Sequence, residues 1–382
     1  MQPALERKYP SAAYLEQAAQ KRLPAFVWEY LYCGMGRGDA VKRNRHALDQ
    51  VKLVPRYLID SDEVTIHKEF LGQTFSAPFG VAPVGLGGLA WPNSAENLAR
   101  ASREQGIPFV ASTFAMASLE TLYDCAGPCT WFQLYRPNLT AIEEDLLNRA
   151  EAAGYEVLLV TVDIPAPMRR DHDIRNGFSV PVRFDFRKLW QAAMHPQWTF
   201  AMARKGFPSF QNLVPYIPEA LKGNEELHYL SDITTGHITP DAIRQLRKRW
   251  NGKLLVKGVL SPREAAMCRD LGADGIVVSN HGGRQLAAAP APCNMVRDIR
   301  TATGEDFALI VDGGVRSGLD IARLLFLGAD LIMMGRPFYY AMAALGDPGA
   351  RHIMKIFREE LRGTLAQLGC KTVDELKTLR TG

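Results

Sequence analysis

Residues 279–284 bring a titratable base, two glycines and a guanidinium together in the order Ser-Asn-His-Gly-Gly-Arg. They directly follow residues 276–278, an apolar and β-branched run of the kind that forms buried parallel strands. Polar groups at the carboxyl end of such a strand indicate chemistry, because the active sites of α/β barrels lie at that end. A histidine that only caps the next helix is the alternative interpretation, and this segment by itself does not decide between the two.

Glycines and arginines also follow the last two predicted strands. Residues 312–316 read Asp-Gly-Gly-Val-Arg, and residues 335–337 read Gly-Arg-Pro. Backbone N–H groups and a guanidinium at these two loops form the phosphate site that is common in α/β barrels. A surface salt bridge would explain either arginine singly, but an arginine at both loops favours a bound phosphate.

Other strand ends carry groups that suit a flavin. Gln133 and Thr161 offer an amide and a hydroxyl to a heterocycle, and Lys257 offers a fixed positive charge to a ring that becomes negative on reduction. Asp312 lies where a ribityl-like spacer would run between the ring and the phosphate. These groups together predict FMN as the cofactor.

The substrate side is predicted from a histidine and two arginines. Asp163 ends the fourth predicted strand, where it would hold and stabilise His281 as a general base. Arg170 and Arg284 would bind a substrate carboxylate in the planar, bidentate geometry that favours arginine over lysine.

Eight apolar runs, alternating with helical patterns, must position these groups. The runs cover residues 79–84, 108–112, 130–135, 157–163, 254–257, 275–279, 308–312 and 331–335. Helix start signals lie between them: residues 261–264 and 93–96 have the pattern of a capping box, and Thr239 precedes a proline at a first helical position. Eight alternations predict a (β/α)8 TIM barrel, an α/β fold, rather than a doubly wound sheet.

The N-terminal region is predicted to be a helical cap. Residues 11–32 have helical spacing of apolar residues, and Pro24 divides them into two short helices. Only polar and strand-like residues follow before the first predicted strand. We therefore expect one barrel domain over residues 1–382, with residues 1–77 as the cap and lead-in.

One interval is too long for an ordinary loop between a strand and a helix. Residues 164–237 separate the fourth and fifth predicted strands and form a long insertion in loop 4. Within it, residues 187–205 are basic at both ends and rich in Trp, Phe and Met in the middle, with Pro196 breaking the segment. This segment would lie on a membrane surface, or equally form a lid or an oligomer contact with buried aromatic residues.

The composition excludes several classes of function. The 382 residues carry a net charge of +4, with Lys and Arg scattered through helices, which argues against a nucleic-acid partner. The six cysteines form no Cys-x-x-Cys pair and have no histidine cluster beside them, so we expect free thiols and no metal site. No signal-peptide core and no apolar run of ~20 residues occurs, so the expected location is cytoplasmic.

Six motifs occur between about Tyr9 and the C-terminal region: W-F-Q-L-Y, T-V-D, L-V-K-G, S-N-H-G-G-R-Q-L, V-D-G-G-V-R and G-R-P. In this order they resemble the FMN-dependent α-hydroxy acid oxidase/dehydrogenase family, which includes glycolate oxidase, lactate oxidase, bacterial L-lactate dehydrogenase and mandelate dehydrogenase. The likeness covers nearly the whole chain. It implies bound FMN, a small 2-hydroxy acid substrate and a homo-oligomer, namely a tetramer.

The resemblance implies a role for each matching residue. His281 is the base, Asp163 is its partner, and Tyr135 bonds the substrate oxygen. Lys257 stabilises the anionic reduced flavin. The residues implied in substrate binding are Tyr30, Arg170, Arg284, Gly85 and Phe114. Those implied in FMN binding are Pro83, Val84, Gly85, Ser112, Gln133, Thr161, Lys257, Ser279, Asp312, Gly314, Arg316, Gly335 and Arg336.

Two departures from the family pattern bear on function. Ala287 follows Arg-Gln-Leu where the family usually has Asp, so we expect a changed loop over residues 287–292, with consequences for its order and for substrate entry. Gly85 stands where many oxidases have Ala, and with residues 87–92 it resembles mandelate and bacterial lactate dehydrogenases. Residues 194–198 resemble the long loop of the membrane-associated lactate dehydrogenase.

We therefore predict an enzyme that uses bound FMN to oxidise an (S)-2-hydroxy acid, mandelate-like or lactate-like, to the 2-oxo acid. Electrons would pass to a quinone or another carrier. A hydroxy acid oxidase that uses oxygen and releases peroxide is the alternative within the class. An FMN-binding isomerase or lyase, and an inactive membrane-associated scaffold, are the alternatives outside it. Residues 187–205 would allow a cytoplasmic enzyme to contact the inner face of the cell membrane.

Overall fold

The computed structural model describes residues 4–58, 63–166, 168–179, 182–206, 209–221, 226–236 and 238–379. A short antiparallel hairpin, β1 (Lys68–Phe70) and β2 (Gln73–Phe75), precedes eight parallel strands that close into a barrel. The barrel strands are β3 (Phe79–Val81), β4 (Phe109–Ser112), β5 (Thr130–Leu134), β6 (Val157–Thr161), β7 (Lys253–Val259), β8 (Gly275–Val278), β9 (Ala308–Asp312) and β10 (Leu331–Met334). Each strand pairs with the next in the chain and β10 pairs with β3, so the predicted (β/α)8 TIM barrel is confirmed.

Helices cover the outside of the barrel and its carboxyl end. In chain order they are α1 (Ala4–Lys8), α2 (Ala12–Arg22), α3 (Ala25–Tyr32), α4 (Asp39–Gln50), α5 (Ser94–Gln105), α6 (Leu119–Ala126), α7 (Thr140–Ala153), α8 (Asp171–Arg175), α9 (Phe186–Met194), α10 (Pro196–Lys205), α11 (Glu226–Thr234), α12 (Pro240–Arg249), α13 (Pro262–Asp270), α14 (Pro292–Thr303), α15 (Gly318–Phe326), α16 (Arg336–Leu345) and α17 (Pro348–Gln367). None of the helices in the described residues has the length and apolarity needed to cross a bilayer.

The barrel strands are largely apolar, as expected for strands that are buried on both faces. Leu158 of β6 packs in the cluster shared with the helices, whereas Leu159 packs in a second cluster made of side chains from other strands. Phe70 and Phe75 of the hairpin join this second cluster, each with its ring centroid 6.1 Å from that of Trp131. Since Trp131 lies near the start of β5, the hairpin closes the amino end of the barrel and leaves the carboxyl end for a site.

The N-terminal region contains the two predicted short helices and one that the sequence did not predict. Helices α2 and α3 are separated at Leu23 and Pro24, as expected. The expectation of only polar and strand-like residues after them is wrong, because α4 lies in this interval. Its buried residues are small or polar, Asn44 among them, and only Leu48 is a large apolar one. Few apolar residues therefore mark the buried face of α4 in the sequence.

All three predicted helix starts are confirmed, but the predicted capping bond forms at only two of them. The Ser261 hydroxyl accepts a hydrogen bond from the backbone N–H of Glu264, and Thr239 caps α12 in the same way. The capping-box pattern predicts the same bond from Asn93 to α5, but Asn93 has a left-handed φ of 56° and its side chain makes no capping bond. Asparagine adopts this conformation more readily than most residues, so it can begin a helix without capping it.

The long insertion lies between β6 and β7 and contains α8 to α11. As predicted, Pro196 separates two helices, α9 and α10. Trp198 and Met202 are buried, whereas Phe186 and Trp190 of α9 are 85% and 62% exposed. The segment is therefore neither a wholly buried lid nor wholly exposed. That residues 1–382 form one domain stays a prediction.

The alanine-rich segment after the base is packed in a defined conformation. Ala289 and Ala291 are buried, and α14 begins directly after them. Arg43 of α4 donates hydrogen bonds to the carbonyl oxygens of Ala287 and Ala289, at 3.0 and 2.5 Å. The order of this loop, which the sequence left open, thus follows from contacts to a helix that the sequence did not predict.

Candidate active site

A cavity of about 460 Å³ opens at the carboxyl ends of the barrel strands. The predicted site residues that line it are Tyr30, Pro83, Val84, Gly85, Phe114, Tyr135, Arg170, Lys257, His281, Arg284, Asp312, Gly314, Arg316, Gly335 and Arg336. The remaining ones, which lie behind this wall, are Ser112, Gln133, Thr161, Asp163 and Ser279. The barrel thus brings together residues that are more than 300 positions apart in the chain.

His281 is held on both sides of its imidazole. Its Nδ1 lies 3.0 Å from Oδ1 of Asp163 and its Nε2 lies 3.3 Å from the hydroxyl of Tyr135. Because a carboxylate only accepts hydrogen bonds, Nδ1 carries the proton that Asp163 accepts, and Nε2 is the nitrogen with a free lone pair. The arrangement is that of a general base oriented by a carboxylate, so the interpretation of His281 as a mere helix cap is not supported.

The charges around His281 favour an ionised aspartate and a neutral tyrosine. Burial by itself would raise the pKa of Asp163, but His281 and Lys257 more than offset burial and leave this pKa below its ordinary value. Burial, together with the nearby Asp163 carboxylate, raises the pKa of Tyr135 above its ordinary value. At neutral pH Tyr135 therefore keeps its proton and acts as a hydrogen-bond donor.

Lys257 is a buried cation at the end of β7. Its Nζ lies 3.0 Å from Oδ2 of Asp312 and donates a hydrogen bond of 3.0 Å to the hydroxyl of Ser279. That hydroxyl in turn donates to Oδ1 of Asp312, at 2.6 Å, and accepts from the backbone N–H of His281. Burial by itself would lower the pKa of Lys257, but Asp312 and Asp163 outweigh burial and raise it. Lys257 is therefore positively charged at any physiological pH.

Two arginines and two aromatic rings form the wall next to His281. The Arg284 guanidinium donates to the carbonyl oxygens of Tyr30 and Cys33, at 2.6 and 3.1 Å, and stacks 4.9 Å from the Tyr30 ring centroid. The Tyr30 ring also stacks on Phe178, with centroids 4.6 Å apart. Arg170 lies 3.6 Å from Asp173. Burial and the like charge of Arg170 lower the pKa of Arg284.

A chain of buried polar side chains crosses three strands behind the cavity. The Ser112 hydroxyl donates to Oε1 of Gln133, and Nε2 of Gln133 donates to the hydroxyl of Thr161, both at 2.9 Å. The sequence groups these residues as flavin ligands. The structure brings them together, although in this conformation they bond one another and do not line the cavity.

Glycines and arginines line the cavity at the ends of β9 and β10. Gly313 and Gly314 have positive φ values of 102° and 89°, which other residues rarely adopt. Arg316 lies 3.5 Å from Glu16. The Arg336 guanidinium donates to the carbonyl oxygens of Leu31, Gly282 and Cys33, and its burial lowers its pKa to about 10. Two guanidinium groups next to glycine backbone, which a ligand can approach closely, suit the binding of a phosphate.

The groups around the cavity fit FMN. Gly335 lies on the wall, where a Cβ would be 3.2 Å from Cγ2 of Val84. The cations Arg316, Arg336 and Lys257 would meet a phosphate and an electron-accepting ring. These residues, with the backbone at 83–85 and the Gly313–Gly314 turn, would hold the cofactor.

The sequence missed several residues that the structure places at the site. Asp173, Phe178 and Phe210 line the cavity but lie in the long insertion, where no strand end or motif marked them. Gln285 also lines it, and its place inside the S-N-H-G-G-R-Q-L motif is a signal that could have been used. Gly258 lies against the Asp163 side chain, with no room for a Cβ between them. The only sequence signal for this contact was the position of the glycine directly after Lys257.

In this barrel a histidine held by a carboxylate lies beside a wall of glycines and arginines. These features define the class of α/β-barrel enzymes that carry out proton transfer next to a cofactor with a phosphate group. Comparison with known proteins agrees with this class and narrows it. A match to the FMN-dependent dehydrogenase family spans residues 19–381. The chain belongs to this family, and it is an FMN-dependent oxidoreductase.

Relatives of known name cover almost all of the chain. The (S)-mandelate dehydrogenase of Pseudomonas putida is 35% identical over 94% of this chain and 90% of its own length. The L-lactate dehydrogenase of Caulobacter sp. strain K31 is 35% identical over 96% of both chains. The crystal structure of a monotopic membrane protein, (S)-mandelate dehydrogenase, superimposes with a TM-score of 0.91 at 34% identity, covering 96% of this chain and 97% of that one. A mandelate oxidase structure has a TM-score of 0.83 at 33% identity, covering 98% and 99%.

Proposed function

We propose that this enzyme oxidises an (S)-2-hydroxy acid, mandelate-like or lactate-like, to the corresponding 2-oxo acid and passes the electrons to a quinone or another carrier. The contact of His281 with both Asp163 and Tyr135, beside two arginines, carries the proposal. Oxidation of the alcohol removes two protons and two electrons from the substrate. His281 takes one of the two protons, and FMN, when bound, would supply the two-electron oxidant that takes up the other.

The side chains around the reacting carbon bind the substrate and accept its proton. Arg170 and Arg284 bind the substrate carboxylate, and Tyr30, which stacks on Arg284, completes that side. Tyr135 donates a hydrogen bond from its hydroxyl group to the substrate oxygen and keeps its proton. His281 accepts a proton at Nε2, and the Asp163 carboxylate at Nδ1 stabilises the imidazolium that results.

The cofactor side would be held by the residues that the sequence assigned to it. Lys257 supplies a fixed positive charge to the flavin ring, and burial keeps water from screening that charge. Arg316 and Arg336, with Gly314, would meet the phosphate. Hydrogen bonds among Ser112, Gln133 and Thr161 already hold these side chains in place, and Ser279 and Asp312 are held in the same way by their neighbours. To bind the cofactor, each group would exchange one of these bonds for a bond to the ligand.

An aromatic wall supports a mandelate-like substrate. The Phe114 ring makes edge-to-face contacts with Tyr135 and Phe210, with centroids 5.4 and 5.3 Å apart. Gly85 leaves open the space in front of Phe114 that a larger residue would fill. A phenyl substituent in this space would lie next to aromatic rings, which favour such a partner.

The exposed face of α9 and α10 supports peripheral contact with a membrane, where a quinone would be available. The exposed apolar side chains of the two helices are Phe186, Leu189, Trp190, Met194 and Phe200. Arg187, Arg204 and Lys205 are also exposed and would meet anionic lipid headgroups. We place this contact at the inner face of the cell membrane. The cytoplasmic location and the tetramer stay predictions.

Anaerobic stopped-flow absorbance tests the reaction. The flavin of the purified enzyme should bleach on mixing with (S)-mandelate or (S)-lactate, and the R enantiomer of the better substrate is the control. Absence of bleaching by mandelate, lactate and glycolate alike would overturn the proposal. The likeness to mandelate oxidase favours oxygen as a second candidate acceptor. Peroxide released in air at the full turnover rate, with no gain from added quinone, would establish that alternative.

A further inference from the structure

Three consecutive residues of α4 bond two loops of the site, the one after β8 and the one after β9. Arg43 donates to the carbonyls of the alanine-rich segment described above. Arg45 donates to the carbonyl oxygen of Gly314, at 2.7 Å, in the loop after β9. Asn44, between them, bonds Asn280, the residue directly before His281. Helix α4 therefore ties together the loops that carry the base and the proposed phosphate site.

The contact between Asn44 and Asn280 is reciprocal and buried. Nδ2 of Asn44 donates to Oδ1 of Asn280, at 2.8 Å, and Nδ2 of Asn280 donates to Oδ1 of Asn44, at 2.7 Å. Asn280 also accepts from the backbone N–H of Gly283 and donates to the carbonyl oxygen of Pro290. Both donors and both acceptor positions of the Asn280 amide are thus used. Asn44 and Asn280 are only 1% and 4% exposed, so water cannot replace a lost partner easily.

This amide pair supports a strained turn. His281 has a left-handed φ of 56°, followed by positive φ values of 62° at Gly282 and 79° at Gly283. A residue other than glycine rarely adopts a left-handed conformation, so the surrounding bonds must impose it on His281. The bond from Gly283 N–H to Oδ1 of Asn280 spans His281, and Asn44 fixes that same oxygen.

We propose that Asn44 is a positioning residue for His281, acting through Asn280. Asn44 does not line the cavity, so it does not touch the reacting atoms. Without its side chain, Asn280 loses two of its four hydrogen bonds, and the turn that aims Nε2 of His281 is held less firmly. The proposal rests on the proposed function, since it assumes that His281 is the base of the reaction.

A double-mutant cycle tests the route from Asn44 to the base. The variants Asn44→Ala, Asn280→Ala and the double variant are each purified with bound FMN, and the limiting rate of flavin reduction by the hydroxy acid is measured per bound flavin. Misplacement of a reacting group by about 1 Å can lower a rate about 10²-fold. We expect Asn44→Ala to lower the limiting rate at least tenfold, with a smaller change in substrate affinity. Since Asn44 acts through Asn280, the double variant should be no slower than Asn280→Ala.

Leu48→Ala is the matched control, because Leu48 is fully buried in α4 and takes no part in the amide pair. It should lower the thermal midpoint while leaving the rate per bound flavin near that of the wild type. Hydrogen exchange of the peptide over residues 279–286 gives a readout without turnover. Exchange there should quicken in both asparagine variants and stay unchanged in Leu48→Ala. If Asn44→Ala does not fold, Asn44→Asp replaces it, since aspartate still accepts from Asn280 but cannot donate to it.

The outcomes separate the two proposals. A wild-type rate in the Asn44 variant, multiplying effects in the double variant, or an equal loss of rate in Leu48→Ala would each overturn the role of Asn44. If no hydroxy acid reduces the flavin of the wild-type enzyme, the proposed function is overturned instead. In that case unchanged hydrogen exchange in Asn44→Ala would still contradict the positioning role, and quickened exchange would support it.

Discussion

Gly258 lies so close to Asp163 that a Cβ on this glycine would be 2.6 Å from the Cβ of the aspartate. Gly258 also has a positive φ of 105°, which a residue with a Cβ rarely adopts. The residue after the buried lysine of β7 must therefore be small if the carboxylate is to reach His281.

Gly258→Ala should displace Asp163 from Nδ1 of His281 and slow flavin reduction by about 10²-fold, the loss typical for a badly oriented reacting group. Stopped-flow absorbance at saturating substrate measures this rate. Gly363→Ala is the matched control, since Gly363 lies in α17 and an added Cβ there would have nothing within 4 Å. Equal rates in the two variants would show that Asp163 tolerates the added methyl group.

Gly85→Ala should change the choice of substrate. A Cβ on Gly85 would lie 2.9 Å from that of Phe114, so the ring must move into the space proposed for a phenyl substituent. The ratio of kcat/KM for mandelate to that for lactate should therefore fall, by about tenfold if about 1.4 kcal/mol of selective contact is lost. Phe114→Ala alters the same wall without adding bulk and serves as the comparison. An unchanged ratio in Gly85→Ala would place the substituent elsewhere in the cavity.

Lys257→Met should destabilise the enzyme in a pH-dependent way. Removal of one partner of a buried ion pair leaves Asp312 uncompensated, at a cost of about 3 kcal/mol. The folded-state pKa of Lys257 lies above its ordinary value of 10.5, so its contribution is complete below pH 10.5 and is lost as the pH rises through the folded-state pKa. The difference in unfolding free energy between wild type and variant should therefore be large at pH 7 and shrink on strong alkalinisation.

Lys253→Met supplies the control for that measurement. Lys253 lies on the same strand, but it is about half exposed and pairs with Asp274 at the surface, where such a pair is worth at most about 1 kcal/mol. Urea unfolding monitored by circular dichroism at several pH values compares the two variants. A Lys257 effect as small as that of Lys253 would mean that Asp312 finds another partner.

The barrel and the ring of strand-end residues could be predicted because parallel strands buried on both faces are continuous apolar runs. Their polar ends therefore stand out: Lys257 follows Leu-Leu-Val and Asp312 follows Leu-Ile-Val. Closure of the barrel then brings such ends together without knowledge of any loop. The base, its carboxylate and the arginines are accordingly predicted around one cavity, where the structure has them.

The parts of the site that could not be predicted from the sequence lie in α4 and in the long insertion, whose positions depend on tertiary contacts. Asn44 has the appearance of a surface residue in a segment with few apolar residues, and in the structure it is buried against a partner 236 positions away. Phe178 and Phe210 reach the site from the long insertion, whose path depends on tertiary packing. Ala287 suggests an altered loop in the sequence, but its backbone oxygen, which any residue offers, accepts the bond from Arg43.

The exposed apolar face is fixed to the barrel by buried anchors. The indole of Trp198 donates to the carbonyl oxygen of Leu89, at 2.8 Å, close to the Gly85 segment. Lys188 is buried in α9 and donates to the carbonyls of Gly177 and Arg183. The outward side chains of α9 are therefore presented by a packed support, as a surface that binds a membrane requires.

Replacing Phe186 and Trp190 with serine should weaken binding to anionic phospholipid vesicles. Both side chains are more than half exposed, and burial of each contributes roughly 1.5–3 kcal/mol, so the affinity should fall more than tenfold. Co-sedimentation measures the bound fraction, and neutral vesicles test the contribution of the basic residues around them. Met267→Ser, at an exposed apolar position on α13, is the matched control and should bind as the wild type does. The anaerobic rate of flavin reduction should be the same in all three proteins, because neither Phe186 nor Trp190 lines the cavity. Equal binding by the serine variant, or no binding by the wild type, would contradict a membrane role for this face.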